Sequence, residues 1–166
     1  MSLTLAAVGA LVAALFDATI APYMQIAGTQ PDLVLILAVI WTVVVGLETG
    51  LVWAFLGGLF LDLLAPRPIG STSFVLLICV GGAALFARLV VRGRYARPVA
   101  AVYLFSLLYA VLFTAVNRLI RGPLPLDNAI ATWLPRAVYD TLLALPLATL
   151  VVSVHLRLTD RERVDW

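Results

Sequence analysis

Long apolar runs alternate along the chain with short breaks that contain polar residues, Gly or Pro. A helix needs about 20 mostly apolar residues to cross a membrane, and most of the runs approach that length. The pattern therefore predicts an all-α integral membrane protein with six transmembrane helices that form a single domain, residues 1–166. The predicted spans are about 3–22, 32–47, 50–65, 73–91, 98–117 and 133–156.

The second and third predicted spans are short and are separated only by a turn that contains Gly46, Glu48 and Gly50. Short or Gly-interrupted hydrophobic segments are pointers to polar sites within membrane proteins. Two short complete spans and a re-entrant hairpin fit this stretch equally well. The sequence therefore leaves both open.

Composition supports a membrane protein and excludes a soluble one. Of 166 residues, 63% are hydrophobic and 12% are charged, whereas a soluble domain is about 45–50% apolar and about 25% charged. All eleven basic residues are Arg, and the net charge is +2. We interpret these charges as determinants of membrane topology and not as a nucleic-acid binding surface. The expected partners therefore include membrane lipids and no nucleic acid. The single Cys79 excludes an intramolecular disulfide and a Cys-based metal cluster.

The distribution of arginines predicts the orientation. Cytoplasmic loops of membrane proteins carry an excess of Arg and Lys. The connection between the fourth and fifth spans and the C-terminal tail share one side and hold seven of the eleven arginines, namely Arg88, Arg92, Arg94, Arg97, Arg157, Arg161 and Arg163. Both termini are therefore expected in the cytoplasm.

Two stripes of small residues recur at four-residue spacing. One consists of Gly50, Ala54 and Gly58 and ends in Asp62, and the other consists of Ala6, Ala10 and Ala14. Residues four apart share a helix face, and small side chains let helices approach closely in lipid. The stripes are candidate partner-binding surfaces, although packing within the bundle would produce the same spacing.

Four charged residues fall toward the extracytoplasmic ends of the predicted spans: Asp17, Asp62, Arg136 and Asp140. Charged groups in membrane segments avoid lipid and pair with one another. We expect Asp17, Asp62 and Asp140 within about two helical turns of that surface, in an outer polar pocket with Arg136 as counter-charge. An internal ion-pair network that fixes helix register is favoured over a ligand or ion site.

Signatures of catalysis are missing from the sequence. It contains no HExxH, GxSxG or P-loop motif, and its only histidine, His155, lies near the end of the sixth span. The prediction is a protein without enzymatic activity, cofactor or metal site.

Several motifs resemble the rod shape-determining MreD family. They are PDLVLIL from Pro31, GLVWAFLGGLFLDLL from Gly50, and PRPIGSTSF from Pro66. The similarity extends from about Pro31 to Phe86 and rests on Pro31-Asp32, on the segment from Gly57 to Leu64, and on Gly70.

This resemblance implies a non-enzymatic scaffold of the bacterial rod complex, or elongasome, in the cytoplasmic (inner) membrane. It implies direct binding to MreC, and a connection through MreC to MreB and to the RodA–PBP synthase that builds lateral peptidoglycan.

MreD proteins are also similar to the S components of energy-coupling-factor transporters, which implies an S-component-like bundle. The alternative function is therefore a small-molecule (vitamin) binding subunit of an uptake transporter. Ala6, Ala10 and Ala14 match the Ala-x-x-x-Ala face by which S components contact the energising module. Unlike S components, the chain lacks long polar extracytoplasmic lids.

Overall fold

The computed structural model describes residues 3–25, 29–65, 68–90, 96–122 and 129–162, without the side chains of 3–5, 121, 129–132 and 155–162. Within these residues the chain forms six α-helices and one 3-10 turn. The helices are α1 (Leu3–Thr19), α2 (Leu33–Val44), α3 (Leu47–Leu64), α4 (Ser71–Leu89), α5 (Ala96–Arg121) and α6 (Ala129–Glu162), and the 3-10 turn is Ala21–Tyr23. Arg92, Arg94, Arg163 and the side chains of His155, Arg157 and Arg161 lie outside this description.

Five of the helices are long and apolar enough to cross a membrane, and α2 is a shorter apolar helix. The predicted fold class, an all-α membrane protein with six helices, is confirmed, and the chain is a multi-pass membrane protein. With 12 residues, α2 is about 18 Å long at 1.5 Å per residue. The hydrocarbon core is about 30 Å thick. Helix α2 is therefore too short for its two ends to reach water on opposite sides of the membrane.

Helix α2 forms the centre of the bundle and packs against each of the other five α-helices. Nine of its twelve residues are buried. Its sequence, LVLILAVIWTVV, is apolar on all sides, and a helix of that kind is normally enclosed by protein or lipid. Here protein encloses it.

Glycines in α3 allow the close approach of α2 and α4. A Cβ atom at Gly57 would lie 2.5 Å from Val34 Cγ1, and one at Gly58 would lie 2.5 Å from Ser73 Cα. A Cβ atom at Gly50 would overlap the hydroxyl of Thr42. These contacts place the start of α2 beside the second half of α3, so the two helices run antiparallel.

The turns before α3 and α4 each use a glycine with positive φ. Gly46 has a φ of 140° between α2 and α3, and Gly70 has a φ of 89° immediately before α4. Side chains with a Cβ atom rarely adopt such angles. Gly46 thereby allows only two residues to separate the end of α2 from the start of α3.

Candidate functional site

Three carboxylates from distant parts of the chain meet at the N-terminus of α2. Asp17 comes from α1, Asp140 comes from α6, and Asp32 is the N-cap residue of α2 itself. Asp32 and Asp140 are buried, and Asp17 is partly buried. We call this group, together with Arg136 and Ser106, the α2 cap cluster.

The carboxylates bind the N–H groups that the start of a helix cannot pair internally. Leu33 N and Val34 N donate to Asp17 Oδ1 and Oδ2 at 3.0 and 2.9 Å. Leu35 N donates to Asp32 Oδ1 at 3.0 Å.

The backbone N–H of Asp32 donates to Asp140 Oδ1 at 3.1 Å. These bonds satisfy all four unpaired N–H groups at the start of α2. Without such partners the groups would be costly in a bilayer, where no water replaces them.

The remaining carboxylate oxygens are bound as well. Arg136 Nη2 lies 2.8 Å from Asp32 Oδ2, and the Ser106 hydroxyl donates to Asp140 Oδ2. The guanidinium of Arg136 also lies 5.3 Å from the centre of the Tyr109 ring, a cation–π geometry. All six carboxylate oxygens of Asp17, Asp32 and Asp140 therefore have partners within the chain.

Helix α6 begins earlier in the chain than the predicted sixth span. Asp140 follows Ala129, the first residue of α6, by eleven residues, or about 16 Å at 1.5 Å per residue. The predicted span starts at about residue 133, and the part of α6 that is long and apolar enough to cross a membrane is Trp133–Val154. Helix α6 continues through Pro135, and Asp140 lies seven residues inside that stretch, or about 10 Å at 1.5 Å per residue. Its depth of about two turns from the surface therefore stays a prediction.

A basic side chain binds a backbone carbonyl at the opposite end of α2, its C-terminus. Arg97 Nη2, from the first turn of α5, donates to the carbonyl oxygen of Val43 at 2.9 Å. Helix termini carry partial charges, positive at the N-terminus and negative at the C-terminus. Carboxylates at the start of α2 and a guanidinium at its end therefore both stabilise the buried helix.

Asp62 makes its hydrogen bonds elsewhere, at the start of α4. It accepts hydrogen bonds from Gly70 N at 2.8 Å and from Thr72 N at 3.1 Å. The structure thus brings Asp17, Arg136 and Asp140 together, whereas Asp62 holds the turn between α3 and α4.

All small residues of the two stripes are buried within the chain. Ala10, Ala14 and Ala54 have no exposed surface, and Ala6 is 6% exposed. Gly50 and Gly58 are buried against Thr42 and Ser73. These six residues join the helices of this chain, and a partner would have to bind on faces that remain exposed.

Sequence reasoning missed three members of the site. Asp32, Ser106 and Tyr109 are not among the four residues of the predicted outer polar pocket. The available signal was weak: Ser106 and Tyr109 lie three apart in the apolar run of α5 and so share a helix face. Their proximity to Asp140 and Arg136 depends on how α5 packs against α6.

The ion pair between Asp32 and Arg136 predicts strong coupling in a double-mutant cycle. We expect Asp32→Asn and Arg136→Gln to be non-additive by about 1–3 kcal/mol, because each single variant leaves a charged partner in a protein interior. Unfolding in mixed micelles of a mild detergent and SDS measures this coupling. Arg88→Gln at the other end of the bundle, combined with Asp32→Asn, is the matched control and should be additive. Additivity of the first pair as well would contradict the ion pair.

Among the described residues, no group of three His, Cys, Asp or Glu side chains is arranged to hold a metal ion. The α2 cap cluster forms hydrogen bonds and ion pairs, and its oxygens are occupied by groups of the chain. Its arrangement is that of an internal brace between α1, α2, α5 and α6.

A family model described as rod shape-determining protein MreD matches residues 2–157. No curated protein and no solved structure matches the chain.

Proposed function

Since the chain belongs to the MreD family of rod shape-determining proteins, we propose that it is a non-enzymatic scaffold of the bacterial rod complex, or elongasome. In this role it binds MreC directly in the cytoplasmic (inner) membrane. Through MreC it is linked to MreB and to the RodA–PBP synthase, and it supports cell shape and lateral peptidoglycan synthesis.

The observation that carries this proposal is the extent of the family match. It covers residues 2–157, and so includes α1 to α5 and most of α6. The membrane bundle itself is therefore the part that the family shares. We infer that this bundle acts through contacts with other membrane components.

The internal bonding of the bundle supports a scaffold. The carboxylates of the α2 cap cluster bind backbone, Ser106 and Arg136, and those of Asp62 bind the start of α4. Large apolar side chains such as Val12, Phe55 and Leu85 are 50–62% exposed on the outer faces. Rigid internal bracing with apolar outer faces suits a protein that holds a membrane-spanning partner.

Nothing among the described residues favours the alternative of a vitamin-binding subunit. Such a site would need polar groups free to bind a ligand, and the carboxylate oxygens of Asp17, Asp32 and Asp140 are already bound within the chain.

Co-expression with MreC from the same genome tests the proposal. We expect purification in mild detergent, through an affinity tag on MreC, to yield a stable stoichiometric complex. The matched control is MreC whose transmembrane helix has been replaced by an unrelated one of equal length, which should retain much less of the chain. Clean separation of two folded proteins would contradict the scaffold proposal.

A further inference from the structure

A groove runs along the outer surface between α5 and α6. Its cavity volume is about 480 Å³. Small side chains, among them Ala96, Ala100 and Ala148, form part of its walls, together with Val99, Tyr103 and Leu145. The groove begins at Ala96, the first residue of α5.

The lining of the groove is apolar although it includes threonines. The Thr141 hydroxyl donates to the carbonyl of Ala137 at 2.6 Å, and the Thr149 hydroxyl donates to the carbonyl of Pro146 at 2.7 Å. Both hydroxyls are thus used within α6. An occupant of the groove would gain free energy mainly by burying hydrocarbon.

The length of the groove suits one hydrocarbon chain. From Ala96 to Tyr103 and from Thr141 to Thr149, the groove extends about 10–12 Å along the helices at 1.5 Å per residue. One leaflet of the hydrocarbon core is about 15 Å deep.

The end of the bundle where the groove begins is positively charged. Arg97 lies in the first turn of α5 and Arg88 in the last turn of α4. Among the described residues neither forms an ion pair. The side chain of Arg88 is exposed and that of Arg97 is half-buried, and Arg97 also donates to the Val43 carbonyl through Nη2. The sequence between them adds Arg92 and Arg94. Positive charge at the cytoplasmic ends of membrane helices attracts anionic lipid headgroups.

We propose that the α5–α6 groove binds one acyl chain of an anionic phospholipid from the cytoplasmic leaflet. The phosphate of this lipid lies at the membrane surface near Arg88 and Arg97. The lipid thus covers an apolar surface that the six helices leave open, and its binding is independent of MreC.

Native mass spectrometry of the delipidated protein tests this proposal, with dioleoylphosphatidylglycerol and dioleoylphosphatidylcholine as probes. We expect phosphatidylglycerol to be retained preferentially. Ala100→Phe fills the groove and should weaken its retention about tenfold or more, because several methylene groups lose their contacts. Arg88→Gln removes one surface charge and should weaken it about fivefold.

The matched control is Ala115→Phe, which adds the same ring to an exposed position of α5 outside the groove lining. It should retain phosphatidylglycerol as the wild type does. Equal retention of both lipids by the wild type, or undiminished retention by Ala100→Phe, would overturn the proposal. Loss of MreC by Ala100→Phe with unchanged lipid retention would also overturn it and would assign the groove to the partner. If Ala100→Phe fails to elute as a folded monodisperse protein, Arg88→Gln serves as the test. Undiminished retention of phosphatidylglycerol by Arg88→Gln would then overturn the proposal.

Discussion

Replacing Asp17 by alanine is expected to cost the bundle about 2–6 kcal/mol of unfolding free energy. The carboxylate of Asp17 accepts hydrogen bonds from Leu33 N and Val34 N, and its loss leaves two buried N–H groups without partners, each at about 1–3 kcal/mol. Reduced repulsion among the acids of the cap cluster offsets part of this loss. Unfolding in mixed micelles, or thermal stability by size-exclusion chromatography after heating, measures the effect.

Two further variants of α1 isolate the cause. Asp17→Asn keeps one acceptor oxygen and should fall between the wild type and Asp17→Ala. Thr19→Ala removes an exposed hydroxyl that bonds only to the Leu15 carbonyl of the same helix, and should stay within about 0.5 kcal/mol of the wild type. If Asp17→Ala were as stable as Thr19→Ala, capping of α2 by Asp17 would contribute nothing.

A methyl group at Gly58 is expected to destabilise the contact between α3 and α4 by about 1–3 kcal/mol or more. The new Cβ atom of Gly58→Ala would lie 2.5 Å from Ser73 Cα and 2.7 Å from Ser73 N. Because these are backbone atoms, no side-chain rotation relieves the overlap, and the two helices must move apart. The melting temperature in detergent should fall, and the fraction of monodisperse protein should fall with it.

Gly81→Ala in α4 is the matched control. No atom lies within 4 Å of the position that its Cβ atom would occupy, and alanine is favoured over glycine within a helix by up to about 1 kcal/mol. This variant should therefore be as stable as the wild type or more so. Equal stability of Gly58→Ala and Gly81→Ala would show that α3 and α4 are not closely packed at Gly58.

These two predictions also bear on how partner binding is mapped. A substitution at Gly58 or Ala10 that abolished MreC binding would report loss of the fold, because both residues are buried. Exposed positions such as Val12 and Phe74, which are 60% and 59% exposed, are better choices. A loss of binding there, with unchanged melting temperature, would locate a contact surface.

The arrangement around α2 suggests why a protein with so few polar residues keeps acids in its membrane segments. Helix α2 is too short to bring both ends to water, and its ends need partners inside the bundle. Asp17 and Asp140 supply them from α1 and α6, and Arg97 supplies one from α5. Asp17 of α1 and Asp140 of α6 both bind the start of α2, so the cluster helps to fix the relative positions of α1 and α6.

The class of this protein follows from its sequence. Apolar runs and composition are local properties, and they are sufficient to define a multi-pass membrane protein with six helices. The short motifs between Pro31 and Phe86 also indicated the MreD family, which the family match over residues 2–157 shows. Asp32 stands directly before an apolar run, and it caps the helix that this run forms.

The tertiary packing determines which side chains meet and which helix faces are covered. A stripe of small residues has the same spacing whether a partner or another helix of the chain covers it, and here Gly50 and Gly58 pack against Thr42 and Ser73. Likewise, Asp17 and Asp140 meet at α2 because α1 and α6, which are more than 100 residues apart in sequence, pack around it. Asp62 instead accepts a hydrogen bond from the turn before α4, the next helix along the chain. Helical periodicity defines the faces of each helix, but the packing of distant segments selects their neighbours.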